Sequence, residues 1–179
     1  MDGLPRATEP YCIVPATRVS PLGNRLVLIS PASGGAATMP TLGRGTDLAA
    51  LLGAGGRLAT GDPAHVPVGR YAQAALEWMG QWSVLAPRLA RADNVRAALL
   101  LVERGEAPLG IVYETDARAS QGVRVVAAFP AESHPPITYP FAVTRRAERN
   151  PQAHALLAFL AGPGAAPAWD RFGFSLRGQ

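Results

Sequence analysis

Short apolar runs and segments with apolar residues at helical spacing take turns along most of this chain. "RLVLIS" (25–30) is apolar without interruption, bounded by Gly23-Asn24 and Pro31, and predicts a buried strand. "TDLAALLG" (46–53) predicts a short helix with Thr46 as its N-cap and Gly53 beyond its end. "RLAT" (57–60) predicts a second short strand. In "GDPAHVPVGRYAQAALEWMG" (61–80), a turn-rich start leads into Ala72, Ala75, Leu76 and Met79, the apolar stripe of a helix that Gly80 ends. "ADNVRAALLLVERGEAPLGIVYETD" (92–116) is sharper. Asp93 or Asn94 serves as N-cap, Val95, Ala98, Leu99 and Val102 form one face, Gly105 closes the helix, and "LGIVY" is an apolar strand. Further on, "VRVVAAF" (123–129) reads as a strand and "ITYPFAVT" (137–144) as an edge or kinked strand because of Pro140. "NPQAHALLAFLAG" (150–162) reads as a helix with Pro151 in its first turn, followed by the aromatic run "AWDRFGFSL". The first two dozen residues, punctuated by Pro5, Pro10, Pro15 and Pro21, predict no regular element.

This alternation of strands and helices predicts an α/β fold on a mainly parallel sheet, with no internal repeat and a crossing between lobes near 131–136. Two helices are expected to begin directly after loops, at Val68 and Val95, where no side chain offers chemistry. The first N–H groups of a helix have no intrahelical partner, and the aligned peptide dipoles place about half a positive charge there. Two such ends aimed at one point would receive an anion without any lysine or arginine. Tyr113, closing the strand after the second helix, would bring a phenolic hydroxyl to the same crevice, since strand ends in open α/β sheets are where ligands sit.

Composition narrows the function. With 48% apolar and 17% charged residues over 179 positions, the chain can bury a real core. The formal charge of +4 comes from 17 basic residues that are all arginine and are scattered, with "TRRAER" (144–149) as the one dense cluster, so no phosphate-tracking stripe exists and nucleic-acid binding is not expected. No apolar run has the length of a membrane span, and no charged-then-apolar leader opens the chain. Cys12 is the single cysteine, and His65, His134 and His154 lie far apart, which leaves no internal disulfide and no metal-ligand spacing.

Other polar residues read as structural. Asp62 is expected to cap a turn and His65 to be a hydrogen-bonded loop residue. Glu103 and Glu106 beside Arg104 read as a solvated helix end, Asp116 as a partner for Arg118, and Trp78 and Trp82 as packing. Phosphate-loop, nucleophile-elbow and paired-carboxylate patterns are absent, so no catalytic machinery and no cofactor are expected.

The run "GRLATGDPAHVPVGRYAQAALEWMGQWSVLAPRLARADNVRAALLLVERGEAPLGIVYETDARAS" resembles the periplasmic molybdate-binding proteins of ABC transporters. "LGNRLVLISP", "FPAESHPPITYPFAV" and "LLAFLAGPGAAPAWDRFGFSL" extend the likeness over about 15–176. The resemblance implies the two-lobed type II periplasmic binding-protein fold, closing on molybdate or tungstate. It implies that the backbone N–H groups of Val68 and Val95 and the Tyr113 hydroxyl hold the oxyanion, and that the partner is a membrane permease. It also implies a periplasmic location and no catalysis. An oxyanion-sensing domain of a transcription regulator, or an enzyme acting on a phosphorylated metabolite, would be the alternatives. Family members begin with strand–helix units that build most of lobe one and supply two serine ligands, and "MDGL" resembles a stretch near the end of that lobe. The expected organisation is therefore a lobe-one remnant and crossover at 1–24, a complete lobe two at 25–136 and the C-terminal part of lobe one at 137–179. Full-length relatives are expected to be monomeric, whereas this chain is expected to bind more weakly and to self-associate through an exposed apolar patch.

Overall fold

The predicted strand at 25–30 forms in the larger of two compact units, one place in from the edge of its sheet. A computed structural model describes residues 12–34 and 42–177. Arg25–Pro135 form one unit, and Met1–Asn24 with Pro136–Gln179 form the other. Along the chain the regular elements are β1 (Val19–Gly23), β2 (Leu26–Pro31), α1 (Leu48–Leu52), β3 (Leu58–Gly61), α2 (Pro67–Trp78), α3 (Trp82–Leu85), β4 (Leu89–Ala92) and α4 (Val95–Glu103). They continue with β5 (Leu109–Tyr113), α5 (Glu114–Arg118), β6 (Val123–Ala128), β7 (Thr138–Phe141), α6 (Pro151–Ala161), α7 (Ala166–Arg171) and β8 (Ser175–Leu176).

In the larger unit the sheet order is β4-β3-β5-β2-β6. β3 pairs parallel with β4 and with β5, while β2 pairs antiparallel with β5 and with β6. The expectation of a mainly parallel sheet is thus corrected, because half of the pairings are antiparallel. The physical reason lies in β2, which enters between β5 and β6 against their direction. Its first four residues, Leu26 to Ile29, are all essentially inaccessible, so apolar side chains cover both faces. Such a strand fits a sheet in either direction, and its polarity follows from where the chain enters rather than from its own pattern. Helix α4 packs Ala98 and Val102 onto this sheet beside Val27, Ile29, Ala59 and Val112.

Several local expectations change. β4, "LARA", was not predicted: it is four residues long with an exposed arginine, and it becomes a strand by pairing with β3 at the sheet edge. The N-cap of α1 is Asp47, whose carboxylate accepts from the Ala50 N–H at 3.0 Å; the Thr46 hydroxyl accepts instead from Gly43 N–H at 3.1 Å.

The second unit carries the sheet β7-β1-β8, antiparallel throughout. β1 lies in the region expected to be irregular. Its proline is accommodated by a register shift between Val19 and Leu22, and the Pro21 carbonyl still accepts from the Arg177 N–H at 2.8 Å. β7, with Pro140, is an edge strand as expected. The aromatic tail folds onto it: Phe174 meets Tyr139 and Trp169 edge-on at 5.2 and 5.8 Å, and the Trp169 indole donates to the Leu160 carbonyl at 2.9 Å. α6 buries none of its residues, leaving Leu156 and Phe159 more than half exposed. No helix among the described residues is long and apolar enough to cross a membrane.

Candidate functional site

Parallel pairing brings three strand ends to one edge of the larger sheet. Gly61, the last residue of β3, stands opposite Ala92, the last of β4, and β5 runs the same way to end at Tyr113. The helices that follow β3 and β4 therefore start side by side, and Tyr113 lies at the same edge. An open depression of about 310 Å³ results. His65, Val66, Pro67 and Val68 line it from the start of α2, Asp93, Asn94 and Val95 from the start of α4, and Tyr113 from the end of β5. All three candidate residues of the sequence reading, Val68, Val95 and Tyr113, share this depression.

The loop into α2 is fixed by Asp62, as expected of a turn cap. Its N–H donates to the Ala92 carbonyl at 2.9 Å, its carboxylate accepts from Ala64 N–H at 2.9 Å, and its carbonyl accepts from Val66 N–H at 2.8 Å. Pro67 occupies the first helical position and has no N–H, and Val66 before it offers no side-chain cap. The N–H groups of Val68 and Gly69 consequently have no acceptor among the described residues. Two glycines set how closely this helix start approaches the strand. A Cβ on Gly69 would lie 2.0 Å from the Gly61 carbonyl oxygen, and one on Gly61 would lie 2.4 Å from a Val66 methyl. Only glycine permits that approach.

Asn94, rather than Asp93, caps α4: its side-chain oxygen accepts from Ala97 N–H at 2.9 Å, and its carbonyl accepts from Ala98 N–H at 3.2 Å. The Val95 and Arg96 N–H groups are left without an acceptor among the described residues. The depression thus gains backbone donors from two helix starts and contains no basic side chain other than the ring of His65.

Tyr113 is held from two sides. Its ring meets Tyr71 edge-on at 6.3 Å, and Tyr71 in turn meets His134 at 5.7 Å. Its backbone is followed by Glu114, a buried carboxylate clasped by the guanidiniums of Arg25 at 2.9 Å and Arg118 at 2.7 Å. Burial pushes the Glu114 carboxyl up, but the hydrogen bonds and charges of Arg25 and Arg118 outweigh it and bring it below its ordinary value. Asp116 does not pair with Arg118, contrary to expectation, because Arg118 sits one helical turn from Glu114 and is drawn to it. Burial instead raises the Asp116 carboxyl, partly offset by the charge of Arg96.

The remaining candidates are structural. Glu106 meets Arg104 at 4.0 Å on an exposed helix end, Glu103 accepts from the Ser120 hydroxyl, and the Arg44 guanidinium lies over the Trp78 ring at 4.7 Å. Among the described residues no group of three His, Cys, Asp or Glu is placed to hold a metal ion. Sequence reasoning did not single out Gly61, Gly69 or Glu114. A pair of glycines flanking a strand-to-helix turn was the available signal for the first two. For Glu114 there was none, because its partners are 89 residues upstream and one helical turn downstream.

Comparison with known proteins adds an independent line. The profile of a family described as "Bacterial extracellular solute-binding protein" matches residues 4–175. The molybdate-binding protein ModA of Escherichia coli (strain K12) is 47% identical over 171 residues, which are 96% of this chain and 65% of that protein. The chain thus spans about two-thirds of the length of that relative. A solved substrate-binding domain attributed to a molybdenum ABC transporter of Clostridium difficile superposes with a TM-score of 0.79 at 27% identity, covering 95% of this chain and 71% of that one. The periplasmic molybdate-binding protein of Azotobacter vinelandii shares the fold, with a TM-score of 0.71 at 22% identity over 93% of this chain and 71% of its own.

Proposed function

This chain belongs to the bacterial extracellular solute-binding proteins, and on that premise we propose that its depression receives a tetrahedral molybdate or tungstate dianion for delivery to an ABC transporter permease. The observation that carries the reading is the meeting of two helix starts whose first N–H groups, those of Val68 and Val95, have no acceptor among the described residues, with Tyr113 in one depression. A dianion placed there takes hydrogen bonds from the backbone amides and from the phenol. Bonds to a charged acceptor are worth roughly 1.5–3 kcal/mol each. The helix dipoles supply the attraction that a lysine or arginine would supply elsewhere. A backbone amide does not ionise near neutral pH and so offers neither a general acid nor a general base, and no step beyond capture and release is assigned to the site.

The donor set favours an unprotonated oxyanion, because every contact is an N–H or O–H and an acid proton on the ligand would face a donor. Size then separates molybdate and tungstate from sulfate, whose shorter bonds leave part of a fixed donor cage unreached. The likeness to a molybdate-binding relative at 47% identity supports this ligand class, and the family points to a site of action outside the cytoplasm.

Isothermal titration of the folded chain with molybdate, tungstate, sulfate and phosphate tests the proposal. Saturable heat with molybdate and tungstate, and none with sulfate or phosphate at the same concentrations, is the expected result. Equal heats with all four oxyanions, or none with any, would refute it.

A further inference from the structure

We infer that Glu114 is a positioning residue for Tyr113: clasped between Arg25 and Arg118, it holds the end of β5 so that the phenol is presented to the depression. The inference rests on the oxyanion reading above. Three elements converge on the one carboxylate. Arg25 leads into β2, Glu114 directly follows the last residue of β5, and Arg118 ends α5. The Arg25 Nη2 donates to Oε1 at 2.9 Å and its Nε to Oε2 at 2.5 Å, while Arg118 Nη2 donates to Oε1 at 2.7 Å. The same corner is tied through the backbone, with Glu114 N–H donating to the Arg25 carbonyl at 2.9 Å and Tyr113 standing opposite Leu26 in the ladder.

The placement asks for an explanation. Glu114 is only 8% exposed and is the one buried acidic residue among those described. Removing a carboxylate from water is costly, and an apolar residue at such a corner would serve stability at least as well. What a doubly paired carboxylate adds is geometry: a bidentate contact from one side and a helical-turn contact from the other allow little rotation. The residue so fixed is the neighbour of Tyr113, whose ring is already braced by Tyr71 on its other side.

Electrostatics and positioning make opposite predictions for Glu114→Gln. Removing one negative charge beside a pocket for a dianion should tighten binding if Glu114 acts by charge alone. If Glu114 positions Tyr113, binding should weaken, by about threefold to tenfold in Kd. The experiment is a double-mutant cycle in the full chain, with molybdate titrated into wild type, Glu114→Gln, Tyr113→Phe and the double variant. Weakening by Glu114→Gln that vanishes in the Tyr113→Phe background supports the inference. An equal effect in both backgrounds, or a tightening, overturns it and leaves the oxyanion reading standing, whereas no effect of Tyr113→Phe overturns it and also removes the phenol from the donors of that reading. Arg118→Met, which keeps the Arg25 pair, gives the same cycle a second variant should Glu114→Gln fail to fold. A readout without ligand separates the two failures. In the chain labelled with 3-fluorotyrosine, whose four tyrosines give four ¹⁹F resonances, Glu114→Gln should shift or broaden the Tyr113 signal and leave Tyr139 unmoved. An unchanged Tyr113 signal overturns the inference whether or not molybdate binds.

Discussion

Gly69→Ala sets helix propensity against packing at the start of α2. Alanine is the better helix former, and on propensity alone the change should stabilise the chain by about 0.5–1 kcal/mol. The structure demands the opposite. The new Cβ would sit 2.0 Å from the Gly61 carbonyl oxygen and 2.7 Å from both the Gly61 carbonyl carbon and the Pro63 nitrogen, all of them backbone atoms that no side-chain rotation can move aside. The helix start must therefore retreat by at least about 1 Å, enough to take a well-made hydrogen bond out of range. Overpacking of this kind costs roughly 1–3 kcal/mol, so the net effect should be a destabilisation of about 1–2 kcal/mol. Because the displaced turn carries the Val68 N–H, losing one hydrogen bond to a charged ligand should also raise the molybdate Kd by about tenfold to a hundredfold. Urea unfolding and isothermal titration measure the two consequences separately. Gly45→Ala is the control, since a Cβ there meets nothing within 4 Å. A Gly69→Ala variant that is as stable as wild type and binds molybdate unchanged would refute both the close-approach argument and the role given to the Val68 amide.

Asn94→Asp should keep the N-cap of α4 and improve its dipole interaction, holding or raising the melting temperature, yet weaken oxyanion binding by placing a carboxylate in the lining; a thermal melt and a titration on one sample check both signs. Asn94→Ala should instead lose the cap, costing about 0.5–2 kcal/mol in urea unfolding. The pH dependence of stability should carry the mark of Glu114. Its folded-state carboxyl lies below its unfolded value, so its contribution is present above the ordinary glutamate range and is lost as pH falls through the lower folded value; the acid limb of a pH–stability curve should flatten in Glu114→Gln. Asp116 has the opposite sign. Its carboxyl is raised by burial, so Asp116→Asn should raise stability at neutral pH, and the difference should disappear as pH falls below the carboxylate range.

The elements that build the pocket were legible because their signals are local. The stripe of Ala72, Ala75, Leu76 and Met79, the glycines after each helix and the apolar run ending at Tyr113 are periodicities and stop signals that need no distant partner. The bare starts at Val68 and Val95 could be named for the same reason: a proline at the first helical position and a small polar cap are written in adjacent residues. Tertiary structure decided the rest. β4 is a strand because β3 lies beside it, β1 takes up Pro21 at a register shift in its pairing with β7, and β2 runs antiparallel because it is inserted between β5 and β6. That Gly69 must be glycine, and that Glu114 belongs with Arg25 rather than leaving Arg118 to Asp116, depend on contacts between residues far apart in sequence. Backbone propensity and amphipathic period act over a few residues and are carried by the chain itself. Strand direction, close approach and charge pairing are set by which surfaces meet, and only the folded molecule brings those surfaces together.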